Sequence, residues 1–190
     1  MRVQSLLFFI IILLIPVIIF RKNIKSKFFL KNKKYVLTKV VSHSDKKIIK
    51  LLNIAIADEW LAYYQYWVGA KIVNGNLAQE AIKELVQHAN DEKRHAEMLT
   101  EHIIKLGGLP ILDFADLQII SGCGYIVPPM SGDIKTILEQ NIEGERCAIK
   151  FYKDLLTQVQ DYTELEKDIV IILKDEEEHE RDLTEILNKV

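Results

Sequence analysis

Two stretches of this chain carry the same string of acids, base and imidazole. Asp91-Glu92-Lys93-Arg94-His95 running into Leu99-Thr100-Glu101 recurs 84 residues later as Asp175-Glu176-Glu177-Glu178-His179 running into Leu183-Thr184-Glu185. Each copy contains Glu-x-x-His, which on a helix sets a carboxylate beside an imidazole on adjacent turns. A lone Glu-x-x-His on a charged helix is more often solvated surface. Two further glutamates single these copies out, because Glu59 stands 33 residues before Glu92 and Glu145 stands 31 before Glu176. If each interval is a helical hairpin, Glu59 and Glu92 lie at one height, ~23 Å from the turn at Asn74-Gly75-Asn76 given a rise of about 1.5 Å per residue. Glu145 and Glu176 are placed likewise about a turn at Gln160-Asp161-Tyr162. Two such hairpins facing each other bring one Glu from each of two helices and one Glu-x-x-His from each of the others together. That is the ligand set of carboxylate-bridged di-iron and di-manganese sites in four-helix bundles.

The chemistry follows from charge. Four carboxylates buried in a bundle with nothing to neutralise them cost several kcal/mol per ion. Two divalent cations cancel that charge, with Glu92 and Glu176 expected to bridge and Glu59, Glu145, His95 and His179 expected to cap. An oxygen-rich set with one imidazole per metal suits two iron ions, with manganese as the alternative, rather than a thiolate-rich structural zinc site.

The elements that must position these groups read as follows. Apolar residues recur at helical spacing from about Asp45 to Val73 (Ile48, Leu51, Leu52, Ala55, Ala62, Tyr66), which puts Glu59 on the inward stripe. A second helix is expected to start near Asn76 as N-cap and to stop at Gly107-Gly108 before Pro110, with Leu85, His88, Glu92, His95 and Leu99 inward. The stretch from Gly108 to Ser131 is long for a hairpin loop and suits a crossover along the bundle. A third helix is expected from Ser131, with Asp133 in its first turn and Leu138, Ile142, Glu145, Ile149 and Tyr152 on one face. A fourth starts near Thr163, where Thr163-x-x-Glu166 reads as a capping box, and runs through Ile169, Ile172, Glu176 and His179. His88 reads as a satisfied core histidine in preference to a group supporting the metal ligands. Trp60 and Trp67 read as cover for a subunit contact or a core face. Glu139, Glu143, Glu177 and Glu178 read as solvent-facing.

Ahead of the bundle the composition changes. Residues 3 to 20 are almost wholly apolar, long enough to cross a bilayer as a helix. Residues 21 to 44 are basic and acid-free. Nine of the 25 Lys and Arg precede residue 45 and all 27 acids lie at or after it, so residues 45–190 carry a net charge of −11. Positive charge following the apolar run favours an uncleaved anchor with the bundle on the cytoplasmic side. A two-part organelle address competes with it. A misplaced start is the bland alternative, and simple secretion ranks last because no Ala-x-Ala-like cleavage site is evident. Three segments result: 1–20 an anchor or signal, 21–44 a linker or transit-like stretch, and 45–190 the bundle.

With these residues in hand, positions 46–189 resemble the ferritin-like superfamily, most closely bacterioferritins and the Dps-like ferritins called thioferritins. The resemblance rests on Ala57-Asp58-Glu59-Trp60-Leu61-Ala62 through Tyr66, on Asp91-Glu92-Lys93-Arg94-His95-Ala96, on Gly107-Gly108-Leu109-Pro110, and on Glu145-Arg146-Cys147-Ala148-Ile149 with Tyr152, in family order. It implies an all-α, ferritin-like four-helix bundle in which Glu59, Glu92, His95, Glu145, Glu176 and His179 are ferroxidase ligands. It implies that Tyr66 lies near the metals, where a tyrosine can supply an electron; a plain core aromatic is the alternative. Bacterioferritins carry a haem-holding methionine directly after the bridging glutamate of the second helix, and here that position is Lys93, so haem is not expected. Thioferritins carry one cysteine in the crossover and one in the third helix, matching Cys123 and Cys147. By themselves these two cysteines read either as free buried thiols or as a disulfide or redox pair.

The resemblance implies a ferroxidase and iron-storage protein that oxidises Fe²⁺ with peroxide or dioxygen inside a homo-oligomeric cage. The acidic body argues against DNA as a partner, and a membrane enters only through residues 3 to 20. Two rivals stand beside it: a di-iron peroxidase or membrane-associated di-iron oxidase that stores no mineral, and a metal-free helical interaction module. The missing Cys-x-x-Cys pair counts against a rubrerythrin-type peroxidase.

Overall fold

The computed structural model describes residues 41–190, in which four long helices and one short one run α1 (His43–Ile72), α2 (Ala78–Lys105), α3 (Leu117–Ile120), α4 (Ile134–Leu156) and α5 (Thr163–Leu187). α1 and α2 pack as one hairpin, α4 and α5 as another, and the hairpins meet along α2 against α5 and α1 against α4. The expected four-helix bundle is therefore present, with α3 and a 3₁₀ turn at Phe114–Asp116 lying in the crossover. Residues 3–20, read as an anchor or signal, lie outside the described residues, as does most of 21–44. Among the described residues no helix is long and apolar enough to cross a membrane.

The start and stop of each helix follow from local chemistry, and three starts differ from expectation. α1 opens on Ser42, whose hydroxyl accepts from the Asp45 amide at 3.0 Å. α2 is not capped by Asn76. Leu77 holds the cap position in a left-handed conformation (φ 64°) with no side-chain cap, so the turn is closed by backbone shape. α4 uses Asp133 as the cap itself rather than as a first-turn acid, its carboxylate accepting from the Thr136 amide at 2.9 Å. The Thr163 capping box does not form, because α5 begins at Thr163 and Tyr162 is the cap. The Tyr162 hydroxyl instead donates to Asp45 Oδ1 at 3.0 Å, tying the start of α5 to the start of α1. α2 stops as expected. Gly108 N–H reaches Ile103 O and Gly107 N–H reaches Ile104 O, with Gly107 at φ 84°, a Schellman closure that a Cβ would strain.

The crossover is pinned where it enters α4 and near its middle. The Asn74 amide donates to Gly132 O at 2.9 Å and its side chain to Ser131 O at 2.6 Å, so the α1–α2 turn carries the start of α4. Near its middle, Asp58 of α1 accepts from the Ser121 hydroxyl and from the Cys123 amide at 2.9 Å.

Buried apolar side chains gather in two clusters along the bundle. One holds Ile48, Leu52, Leu99, Ile103, Leu155 and Ile169 among others, and the second holds Ala70, Ala81, Leu85, Ile137, Leu138 and Leu183 among others. On every long helix the positions between these clusters are the predicted ligands. The bundle thus has two oily ends and a polar waist.

Candidate metal centre

Each helix brings its candidate ligands inward because the flanking turns are apolar. Glu59 follows Ala55 and Ile56 on the buried face of α1, Glu92 and His95 lie between Leu85 and Leu99 on α2, Glu145 lies between Ile142 and Ile149 on α4, and Glu176 and His179 lie between Ile172 and Leu183 on α5. None of the six is more than 3% exposed. A buried ionisable group on an otherwise apolar stripe needs a partner.

The partners are each other. His95 Nδ1 lies 3.3 Å from Glu59 Oε2, 3.4 Å from Glu92 Oε2 and 3.1 Å from Glu176 Oε1. His179 Nδ1 lies 3.3 Å from Glu92 Oε1, 3.8 Å from Glu145 Oε1 and 3.5 Å from Glu176 Oε2. Glu92 and Glu176 each send one oxygen to one histidine and the second oxygen to the other. The result is two four-residue clusters sharing two carboxylates, Glu59-Glu92-His95-Glu176 and Glu92-Glu145-Glu176-His179, with ligand atoms within 4.8 Å of one another in each. These contacts are close but not all are hydrogen bonds: Glu92 Oε1, Glu176 Oε1 and His179 Nδ1 have no hydrogen-bond partner. Orphaned buried donors and acceptors that converge on common points fit a pair of divalent cations better than they fit a metal-free network.

Around this set lies a shell that the sequence reading did not assign. His95 Nε2 faces Asp175 Oδ2 at 3.1 Å and His179 Nε2 faces Asp91 Oδ2 at 3.6 Å, so the acid preceding each shared glutamate supports the histidine of the opposite helix. Such a partner fixes which nitrogen points inward. Arg94 reaches both acids, Asp91 at 2.9 Å and Asp175 at 2.7 Å. Tyr66 of α1 donates to Glu145 of α4, and Tyr152 of α4 donates to Glu59 of α1. Tyr66 therefore lies at the waist as the resemblance implied, and Tyr152 is its counterpart. The signal for both pairs was in the chain: Asp91 and Asp175 occupy equivalent places in the repeat, and each tyrosine follows its glutamate by seven residues.

The electrostatics are those of crowded carboxylates. Burial, then the neighbouring Glu59, raises the Glu92 carboxyl; burial, then Glu176 and Glu92, holds Glu145 well above its ordinary range. Burial and Glu92 push Glu176 upward too, but the two histidines outweigh them and it falls below the usual value. For His95 and His179, burial favours the neutral ring, yet the surrounding carboxylates dominate and raise both. The His179 contact lowers Asp91. Without cations, the pocket gathers protons.

On the α1–α4 side a narrow cavity of about 40 Å³ touches Glu59, Glu92, Glu145 and Glu176, with Cys123 and Gly144 in its wall. That is room for a molecule of a few atoms. Cys123 and Cys147 are joined as a disulfide across 5.8 Å between their Cα atoms, which settles in favour of the pair the choice left open by the residues. It staples the crossover to α4 beside the cavity.

His88 corrects an expectation. It is buried against His179, ring centroids 3.9 Å apart, but it is not satisfied, since neither nitrogen has a hydrogen-bond partner. Burial and the facing His179 push it down to about 3. Trp60 packs on the core with an edge-on contact to Tyr63, whereas Trp67 is exposed and stacks on Tyr64. Glu139, Glu143, Glu177 and Glu178 face solvent as read. Lys93, where a haem-binding relative would need methionine, is exposed and lies 3.6 Å from Glu97.

Comparison with known proteins agrees with this fold. The DNA protection during starvation protein of Pyrococcus furiosus is 35% identical over 147 residues, covering 75% of this chain and 77% of that protein. A bacterioferritin of Rhodobacter capsulatus is 29% identical over 142 residues, covering 71% and 79%. Among solved structures, the dodecameric thioferritin described as the bacterioferritin-related protein from Bacteroides fragilis superposes with a TM-score of 0.74 at 38% identity, covering 81% of this chain and 90% of that one. Dps from Thermosynechococcus elongatus shares the fold, with a TM-score of 0.70 at 15% identity over 76% of this chain and 92% of that one. The family description Ferritin-like domain matches residues 49–190, and the chain belongs to that family.

Proposed function

We propose that the chain is a ferroxidase that binds Fe²⁺ in pairs at the waist, oxidises it, and passes the ferric product to storage within a homo-oligomeric cage. One observation carries the reading: Glu92 and Glu176 each direct one oxygen to each histidine's cluster, which is what two bridging carboxylates do. In this reading Glu59 and His95 cap one ion and Glu145 and His179 the other. Four carboxylates balance two Fe²⁺. The paired ferrous ions give up two electrons, which with two protons reduce dioxygen to peroxide or peroxide to two waters. The small cavity beside the carboxylates suits an oxidant of that size. Tyr66 and Tyr152 orient the capping glutamates by donating to them, and Asp91 and Asp175 keep the outer histidine nitrogens protonated so that Nδ1 points inward.

The cage is supported by the dodecameric thioferritin that this chain resembles at 38% identity. DNA stays outside the reading, because residues 45–190 carry a net charge of −11. A membrane-tethered or organelle setting is carried by residues 3 to 20 and the basic stretch alone. Adding Fe²⁺ anaerobically to the full-length protein and then admitting peroxide or dioxygen tests the proposal. The expected result is two tightly held ions per chain at the waist and rapid oxidation, with Glu92→Ala and Glu176→Ala losing both together by at least a hundredfold in rate. Variants that oxidise Fe²⁺ at the wild-type rate would remove the waist from the chemistry. Sizing the same samples separates storage from simple turnover: a monomer or dimer that never accumulates iron beyond the bound ions supports the non-storing oxidase instead.

A further inference from the structure

One buried histidine has no part in the paired site. His88 sits one turn before Glu92 on α2, fully buried, with both ring nitrogens unpartnered. Buried imidazoles ordinarily find hydrogen-bond partners. Packing does not require a polar ring here, because the equivalent place in the second half of the repeat, 84 residues on, is Ile172, a member of the apolar core. Two carboxylates approach His88 from the side away from the waist. Glu84 lies one turn earlier on α2 and Asp182 one turn after His179 on α5, and one atom from each lies with a His88 nitrogen inside a 4.8 Å circle.

Both acids line an open groove between α2 and α5 that also holds Glu80, Glu178 and Glu185. Three cations meet this acidic wall. Lys83 contacts Glu84 Oε1 at 3.0 Å, Arg181 contacts Asp182 Oδ1 at 3.7 Å, and Lys189 pairs with Glu80 at 2.8 Å. All three are solvent-exposed, and Glu84 and Asp182 each meet them through one oxygen only, which leaves the second oxygen of each available. Five acids against three bases keep the groove attractive to cations.

We propose that Glu84, His88 and Asp182 form a third divalent-cation site, holding a first-row transition ion through one imidazole nitrogen and two carboxylate oxygens, between the buried His88 ring and the α2–α5 groove. Two negative charges and a neutral ring balance such an ion, and the donor set matches its preference for nitrogen and oxygen. Because the His88 ring stacks on His179, an ion bound there stands one side chain from the paired site and is staged to load it. The staging role rests on the ferroxidase reading; the site itself does not.

Counting Co²⁺ bound anaerobically by the full-length protein tests it. Wild type is expected to hold three ions per chain, His88→Phe and Asp182→Asn two each, and the Glu92→Ala/Glu176→Ala double variant one. Should His88→Phe fail to fold, Asp182→Asn, altered at a half-buried groove position, decides the matter. Asp182→Asn binding as many ions as wild type, or a double variant binding none, overturns the site. Failure of the paired reading looks different: the double variant would match wild type while Asp182→Asn still lost one ion.

Discussion

Glu145 shows at the scale of a single residue what the waist is built to tolerate. Its carboxyl is held well above the ordinary range by burial and by Glu176 and Glu92, which favours the protonated form in the metal-free protein. Gln mimics that protonated form and still accepts from Tyr66. Glu145→Gln is therefore expected to cost metal-free stability no more than about 1 kcal/mol, the centre of the range for point substitutions, while removing a candidate ligand. Wild type should gain about 2.7 kcal/mol at a free cation concentration a hundred times Kd, seen as a rise in Tm, and the variant should gain markedly less. A Glu145→Gln protein stabilised as much as wild type would contradict the ligand assignment. Tyr66→Phe and Tyr152→Phe each take a donor from a buried carboxylate, a loss of about 1.5–3 kcal/mol that should slow oxidation and weaken cation binding alike. The six candidate ligands were legible because their types repeat at matched spacing. Asp91, Asp175 and Tyr152 were present in the same repeat, but their partners lie on other helices 80 or more residues away, which no local pattern displays. His88 was misread because a histidine on an inward stripe looks the same whether or not it has found a partner.

At the scale of elements, the long helices were readable from apolar periodicity, while their starts were not. The α2 and α5 starts use backbone geometry at Leu77 and Tyr162, and a capping residue identified by type alone carries no information about which backbone amide it reaches. The crossover matters more to the site than its irregular sequence suggested, because it is clasped to α1 through Asp58 and to α4 through the Cys123–Cys147 disulfide. That bridge closes a loop with a sequence separation of 24 residues, which corresponds to about 3 kcal/mol of chain entropy. Reduction, or Cys147→Ser, should lower unfolding free energy by about that amount in chemical denaturation; an unchanged midpoint would show that the staple adds nothing. Gly132 makes a sharper case. It sits at φ 68°, and an added Cβ would lie 2.0 Å from Ile72 O. Gly132→Ala is expected to cost more than about 2 kcal/mol by pushing the start of α4 off the α1–α2 turn, read as a lowered denaturation midpoint.

Over the whole molecule, the proposed ions and protons would compete for one pocket between two oily ends. The metal-free folded chain holds extra protons, since Glu92, Glu145, His95 and His179 are all raised relative to the unfolded chain. Raised groups contribute stability that is complete below their unfolded values, 4.5 for the carboxyls and 6.5 for the rings, and fades as pH climbs toward the folded values. Glu176, Asp91 and Asp175 are lowered and work in the opposite sense, but their contribution is already present above the ordinary carboxylate range; His88, lowered to about 3, alone opposes the four within the window, below its unfolded value of 6.5. Metal-free Tm should thus fall as pH rises from about 5 to 9, and the stabilisation by divalent cations should grow over the same range as they displace protons, with proton release measurable by titration calorimetry. A metal-free Tm that climbs across that window would contradict the proton-holding waist. Anomalous diffraction at the iron edge, from crystals of the full-length protein soaked anaerobically in Fe²⁺, tests the central claim most directly. The account predicts two peaks per chain between the carboxylates of Glu92 and Glu176, one facing His95 Nδ1 and the other His179 Nδ1. Density for iron elsewhere with none between those two glutamates would contradict it.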